Sequence, residues 1–364
     1  MKTMLVLSMG ALLLAGTLSA QTPVPEWQAG VDKVKTLIQS NPAQASEEAG
    51  ELLKGKNKKN VDLVTSVAHV YLDAGKITEA QEYLAMAKKA NNKDPKVSVL
   101  EGDIALAQKN IGQACQLYEQ AIYFDPNCKE AYLKYAQAYK SASPTQAIEK
   151  LEQLKAVDPN CLEADRELAE VYYSGNRFGK AVEMYTKFID TPLATEDDML
   201  KYAFALFLNH DFEKSLQVAQ KGLQKNARHA AFNRLVMYNN TDLKRYEDAE
   251  KAADAFFNAS DHADYSYLDY RYYGALLSAL KKYDKAIIEY GKALDKDNTQ
   301  VDLWREISDA HEMNNNYAEA IAAYRKYYDA LTKDKKTPET LFQLGRLYYC
   351  LLYTSDAADD KARV

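Results

Sequence analysis

Two stretches of this sequence set a thiol beside a carboxylate at a fixed interval: FDPNCKEAY (residues 124–132) and VDPNCLEAD (residues 157–165). Their prolines, Pro126 and Pro159, lie 33 residues apart. Thiols and carboxylates in such a pair could ligate a metal or form a redox couple. Metal sites, however, draw ligands at short spacings such as Cys-x2-Cys or His-Glu-x-x-His. The five histidines, His69, His210, His229, His262 and His311, fit none of them. One tight carboxylate–histidine cluster stands out, Asp261-His262-Ala263-Asp264. The sequence holds no glycine-rich phosphate loop and no G-x-S-x-G nucleophile elbow. Apart from Cys350, the cysteines are Cys115, Cys128 and Cys161, an odd number and no disulfide framework. The pattern therefore singles out no catalytic, cofactor-binding or metal-ligating residue.

The elements that carry these residues are helical. Alanine, leucine, lysine and glutamate abound, while glycine (14) and proline (9) are scarce among 364 residues. A formal charge of −6 is too small for this length to argue for nucleic acid or a membrane surface. Lys2, an apolar run over residues 4–15 and small residues up to Ala20 have the layout of a cleaved secretory leader, followed by Gln21. Residues 1–20 are thus expected to be a signal peptide. The run is short for a membrane span, so no integral membrane segment is expected in the mature chain.

An internal repeat organises the rest. Small residues recur at Ala80, Ala114, Ala147, Ala181, Ser215, Ala249, Ala286 and Ala320, at spacings of 34, 33, 34, 34, 34, 37 and 34. Each is preceded by a first apolar-periodic segment and a short turn containing residues such as Gly75, Gly175, His210 or the asparagines 314–316. About four residues after each, a large apolar side chain follows on the same helical face: Leu84, Tyr118, Leu151, Tyr185, Tyr290, Tyr324. A second small position falls in the first helix, at Ala68, Gly102, Ala136, Ala169, Ala203 and Gly274. Small residues let helix axes approach to about 8–10 Å. The 27 tyrosines find a place here, because Tyr71, Tyr139, Tyr172, Tyr185, Tyr273, Tyr290 and Tyr324 fall where rings pack between helices.

This pattern over residues 61–349 resembles the tetratricopeptide repeat family. The clearest repeats are VDLWREISDAHEMNNNYAEAIAAYRKYYDAL (residues 301–331) and YLDYRYYGALLSALKKYDKAIIEYGKALDKD (residues 267–297). Trp304, Tyr317, Ala320 and Tyr324 match the family signature in the first, and Gly274, Tyr283, Ala286, Tyr290 and Ala293 in the second. The resemblance implies an all-α fold, an α-solenoid of stacked helix-turn-helix repeats wound into a right-handed superhelix. It implies a degenerate N-terminal helix pair over residues 21–60 as a cap, then eight repeats and the start of a ninth over residues 61–349. Within it, each Asp-Pro-Asn-Cys becomes punctuation. Pro126 and Pro159 lie 12 residues after Ala114 and Ala147 and end the second helix. Asn127 and Asn160 are expected to prepare the next helix start. Cys128 and Cys161 then sit at equivalent places about 10 Å or more apart, too far for a bridge.

Function is expected to be binding. In the family, the inner face of the superhelix is lined by first-helix residues and holds extended peptides or partner helices. The fifth, ninth and twelfth residues of each repeat share one face. They are Arg166, Glu170 and Tyr173; Leu200, Phe204 and Phe207; Arg234 and Tyr238; Arg271; and Arg305, Asp309 and Glu312. Arg166, Tyr173, Phe204, Phe207, Arg234, Tyr238, Arg271 and Arg305 are the candidate groove, with Phe204 and Phe207 exposed unless a partner covers them. Arginines beside aromatics suit an acidic protein or peptide with apolar anchors. The alternative is that the arginines pair with Glu170 or Asp309 and the aromatics pack between repeats. The lysine–asparagine clamp with which some family members grip a C-terminal carboxylate is absent, so chaperone-tail recognition is not carried over.

The expected product is a non-catalytic scaffold of the cell envelope, periplasmic or secreted, needing no cofactor and binding no nucleic acid. Two alternatives stand beside the groove. One is an accessory of an outer-membrane biogenesis or uptake assembly, binding through its convex face or the long connection over residues 258–267. The other is the targeting arm of an enzyme whose catalytic domain lies further along the chain. The last stretch, CLLYTSDAADDKARV (residues 350–364), begins with the six residues that one frame of a library-preparation transposon end encodes. From about Cys350 the chain is expected to be non-native and the true protein to continue.

Overall fold

The structure, a computed structural model, describes residues 24–260 and 264–362, without the side chains of 259 and 354–362. The leader expected over residues 1–20 and most of the Asp261–Asp264 cluster lie outside these residues. The chain divides into two compact units, Met1–Ala138 and Tyr139–Val364. The first holds α1 (Gln28–Ser40), α2 (Pro42–Leu52), α3 (Val61–Asp73), α4 (Ile77–Asn91), α5 (Pro95–Ala107), α6 (Ile111–Phe124) and all but the last residue of α7 (Lys129–Tyr139). The second holds α8 (Pro144–Val157), α9 (Leu162–Ser174), α10 (Phe178–Phe188), α11 (Glu196–Leu208), α12 (Phe212–Lys225), α13 (Ala230–Asp242), α14 (Tyr246–Asp254), α15 (Tyr267–Ala279), α16 (Tyr283–Lys296), α17 (Asp302–Met313), α18 (Tyr317–Ala330) and α19 (Pro338–Ala362). Within each unit successive helices stack as antiparallel pairs, an all-α solenoid.

The small residues sit where the spacing places them. Ala80, Ala114, Ala147, Ala181, Ser215, Ala249, Ala286 and Ala320 are all completely buried. A Cβ built on Gly102 would lie 2.5 Å from the Tyr118 ring, and one on Gly274 would lie 2.7 Å from Tyr290. The absent side chain is thus the socket for the aromatic that follows. Tyr71, Tyr172, Tyr185, Tyr290 and Tyr324 are buried, while Tyr139 and Tyr273 are half-buried. Each buried ring contributes roughly 1.5–3 kcal/mol by leaving water.

Seven of the turns inside the repeats follow one geometry, the turn between α7 and α8 being the exception. Gly75, Lys109, Asn176, His210, Lys244, Lys281 and Asn315 have φ between 56° and 75°. The next N–H in each case reaches back five residues, as in Asn110 N–H to Ala105 C=O (2.9 Å) and Arg177 N–H to Tyr172 C=O (2.8 Å). This is the helix-ending bond that a left-handed residue permits. The left-handed place in the fourth repeat belongs to Asn176, not Gly175, whose φ is −87°.

The Asp-Pro-Asn-Cys stretches are turns. Asp125 accepts from the Asn127 N–H (2.9 Å) and Asp158 from the Asn160 N–H (3.2 Å). The aspartate side chain holds the turn, and the residue before α9 is Cys161, without a side-chain cap, rather than Asn160. Among the described residues, Cys115, Cys128, Cys161 and Cys350 form no disulfide with one another.

Two features depart from the regular repeat. In the fifth and sixth, Ser215 donates to the Ala203 carbonyl (2.9 Å) and accepts from Asn239 Nδ2 (2.8 Å), a buried polar chain linking α11, α12 and α13. Asn239 Oδ1 is buried with no hydrogen-bond partner. At the end of the chain, α19 runs unbroken from Pro338 to Ala362, where earlier first helices stop after 11–13 residues. Counted from Pro338, the place of Asn315 falls on Leu352, an aliphatic residue that resists the left-handed conformation, and no glycine or asparagine follows to end the helix.

Candidate partner-binding face

The fifth, ninth and twelfth places of the first helices do share one face, and their chemistry is set by the helix that follows. Thr195 opens α11 as a capping box: its N–H and hydroxyl donate to Asp198 Oδ2 at 2.8 and 2.6 Å. The other oxygen of Asp198, a completely buried residue, accepts from Arg166 Nε at 3.0 Å. The same device recurs two repeats later, at α15. The Ser266 N–H and hydroxyl donate to Asp269 Oδ2 at 2.7 and 2.9 Å. Asp269 Oδ1 accepts from Arg234 Nε and from the Tyr238 hydroxyl, both at 2.7 Å. Arg234 also donates to the Asp264 carbonyl (2.7 Å). Arg271 closes a fork on Glu306 of α17, with Nη2 to Oε1 at 2.6 Å. A carboxylate buried this deeply needs a cation and several donors, and the fifth-place arginine of the preceding repeat supplies the cation.

Three of the four candidate arginines are therefore neutralised internally. Their partners are Asp198, Asp269 and Glu306, not Glu170 or Asp309. Glu170 pairs instead with Lys201 at 2.8 Å. Arg305 is exposed and has no ion-pair partner among the described residues.

The aromatics behave differently from the expectation that Phe204 and Phe207 stand open. Phe207 is buried, with ring centroids of Phe212, Tyr238 and Tyr272 within 5.6–6.2 Å. Tyr238 is buried and stacks on Tyr272 at 4.0 Å. Phe204 is half-buried in the same core. The reason is local: this place lies where α11, α13 and α15 converge, so the chain covers its own rings. Burial raises the Tyr238 hydroxyl far above the usual phenol range, and the Asp269 charge adds to it. Tyr173 is half-buried, edge-on to Phe178 at 5.8 Å.

The same counting, carried into α19, reaches residues that the sequence reading passed over. Phe342, Arg346 and Tyr349 are the fifth, ninth and twelfth residues from Pro338. Phe342 is 71% exposed and Tyr349 69%. Arg346 clamps Glu312 of α17 with bonds of 2.5 and 2.7 Å, so α17 and α19 lie side by side. Beside Arg305, burial raises the Asp309 carboxyl; Arg305 opposes the shift and Glu312 adds to it.

In the first unit the corresponding face carries a compact cluster. Asp103 of α5 accepts from His69 of α3 (2.9 Å), Lys134 of α7 (2.9 Å) and the Tyr118 hydroxyl (2.7 Å). Burial alone would raise this carboxyl, but His69, Lys134 and Tyr118 together hold it below the usual range. Among the described residues no group of three or more potential ligands is gathered for a metal. No described helix is long and apolar enough to cross a membrane.

Helix pairs of about 34 residues, a small residue in each helix, an aromatic in the socket and a left-handed turn between them define one repeat type. A family model for the tetratricopeptide repeat matches residues 68–128, 137–192 and 274–335. These are tetratricopeptide repeats. Similar solved structures include a tetratricopeptide repeat protein from Parabacteroides merdae, 14% identical over 69% of this chain and 98% of its own, with a TM-score of 0.43. Pseudomonas aeruginosa PilF is 15% identical over 57% of this chain and 96% of its own, TM-score 0.46. The type IV pilus biogenesis factor PilW is 17% identical over 55% and 92%, TM-score 0.44. No curated protein matches the sequence. Tetratricopeptide repeats bind proteins or peptides.

Proposed function

We propose that this tetratricopeptide repeat protein is a non-catalytic scaffold of the cell envelope that holds a segment of a protein partner along the first-helix face of its second unit. The observation that carries the reading is a pair of exposed groups at equivalent places on adjacent helices, Arg305 of α17 and Phe342 of α19. The other fifth-place arginines are taken up by Asp198, Asp269 and Glu306, so Arg305 is the cation left for a carboxylate of the partner. Phe342 supplies the apolar anchor. The leader-like residues 1–20 support an exported location, with residues 21–60 as a cap, 61–349 as the repeat array and residues from about Cys350 as a non-native tail.

The test is a double substitution, Arg305→Glu with Phe342→Ala, followed by crosslinking pull-down from envelope extracts. Both side chains are exposed, so helicity and melting should stay unchanged while a specifically captured partner is lost. Retention of every partner at undiminished yield would place binding elsewhere.

A further inference from the structure

On the opposite side of α17 from the first-helix face, the chain leaves a cleft of about 610 Å3 between α16 and α17. Trp304, Ile307 and His311 line one wall. Their spacing of three and four sets them together on α17, roughly 130° round the helix from Arg305, Asp309 and Glu312. Ile287, Gly291 and Leu294 line the other wall, on α16.

Gly291 contributes no side chain to this cleft, although clefts also form beside the equivalent Ala85, Thr186 and Asp254. This place falls five residues after the marked small residue, and the other seven repeats fill it with Ala85, Glu119, Glu152, Thr186, Gln220, Asp254 and Arg325. Here no side chain projects, and a Cβ built on Gly291 would meet nothing within 4 Å. The void is apolar. Leu294 and Ile307 are buried at its floor, and Lys326 Nζ lies 4.0 Å over the Trp304 ring. Burial also lowers the His311 pKa, so the imidazole is uncharged at neutral pH. At the rim stands one exposed carboxylate, Asp295, with no ion-pair partner among the described residues. Its neighbour Lys292 is engaged with Glu289 at 2.8 Å.

We propose that this cleft is a second docking site, seating one bulky apolar side chain of a partner polypeptide, flanked by a lysine or arginine that pairs with Asp295. The volume is that of a small-ligand pocket. A mainly apolar lining with the acid Asp295 at the rim suits an apolar residue beside a base. The site lies on another face from Arg305 and Phe342 and stands or falls separately from the reading of that face.

The chain has two tryptophans, Trp27 and Trp304, so the full chain labelled with nitrogen-15 gives two indole N–H signals, one in each unit. Titration with N-acetyl-phenylalanyl-lysine amide should move the Trp304 signal saturably and leave Trp27 in place. N-acetyl-phenylalanyl-glutamate amide should bind about fivefold more weakly, as the rim charge is worth roughly 1 kcal/mol. N-acetyl-alanyl-lysine amide should not saturate. Gly291→Leu, whose Cβ would meet nothing within 4 Å, projects into the void and should abolish the response with melting unchanged or raised, since leucine is the better helix former. Asp295→Asn should erase the preference for lysine over glutamate. A response shared by both tryptophans, one that survives Gly291→Leu, or one indifferent to phenylalanine against alanine would overturn the proposal.

Discussion

Arg234 Nε lies 2.7 Å from Asp269 Oδ1, across 35 residues of sequence, and Asp269 is completely buried. The pair joins one repeat to the next through a helix cap. Arg234→Glu places a second carboxylate against a buried one that keeps only its cap and Tyr238 donors. Loss of one partner from a buried pair costs about 3–5 kcal/mol. Denaturant unfolding should show a loss of that order for Arg234→Glu, and a far smaller one for Arg305→Glu. Equal, small effects would mean that the Arg234 pair is not structural.

Gly102 and Ala181 test the packing. Leucine at Gly102 must displace the Tyr118 ring, and leucine at Ala181 has no free space around a completely buried residue. Each should lower stability by roughly 1–3 kcal/mol through overpacking. Thermal melting of the two variants checks it, and unchanged melting would show that the sockets are not tight.

The Asp103 cluster sets a pH dependence. An unfolded aspartate titrates near 3.9, roughly, and the folded Asp103 titrates lower. The folded form therefore binds its proton less readily. Its stabilising contribution is complete well above the unfolded value and is lost as pH falls below about 4, through the folded value. Unfolding measured from acid to neutral pH should fall more steeply in acid for the native chain than for Asp103→Asn. Parallel curves would remove Asp103 from the account.

The left-handed turns offer stabilising changes. Lys109 and Lys281 have φ of 64° and 59°, a conformation that costs a side-chain-bearing residue about 1–2 kcal/mol. Glycine there gives back part of this to unfolded-chain entropy. Lys109→Gly and Lys281→Gly should each raise stability by about 0.5–1 kcal/mol, read as a higher melting temperature.

The repeat register was legible because it is local. Ala181 and Tyr185 are four residues apart on one helix, and the spacing between alanines exposes the period without any tertiary information. The turn was legible too, though Gly175 drew attention from Asn176, since both residue types tolerate the left-handed region. The fate of the arginines was not legible from the same face. Arg166 and Arg234 meet Asp198 and Asp269, 32 and 35 residues on, and only stacking brings them together. A signal was present in Thr195-x-x-Asp198 and Ser266-x-x-Asp269, whose capping pattern marks each aspartate as held at a helix start. Phe207 looked available because its face was counted on one helix, whereas Tyr238 and Tyr272, which cover it, come from two others. Phe342 was missed for a plainer reason: the count of groove positions stopped one repeat short.

The buried chain from Ala203 through Ser215 to Asn239 has a further consequence. In a repeat array, stability is a sum of repeats and the junctions between neighbours. Most junctions in the second unit are sealed by rings and aliphatic side chains. This one carries a hydroxyl and an amide, and Asn239 Oδ1 is left without a partner at a cost of about 1–3 kcal/mol. The array should therefore come apart in blocks rather than at once, parting first between α12 and α13. Hydrogen exchange would show it as two sets of amides with distinct opening energies, α8–α12 in one and α13–α18 in the other. Asn239→Leu, by removing the orphaned amide, should draw the two sets toward a single value.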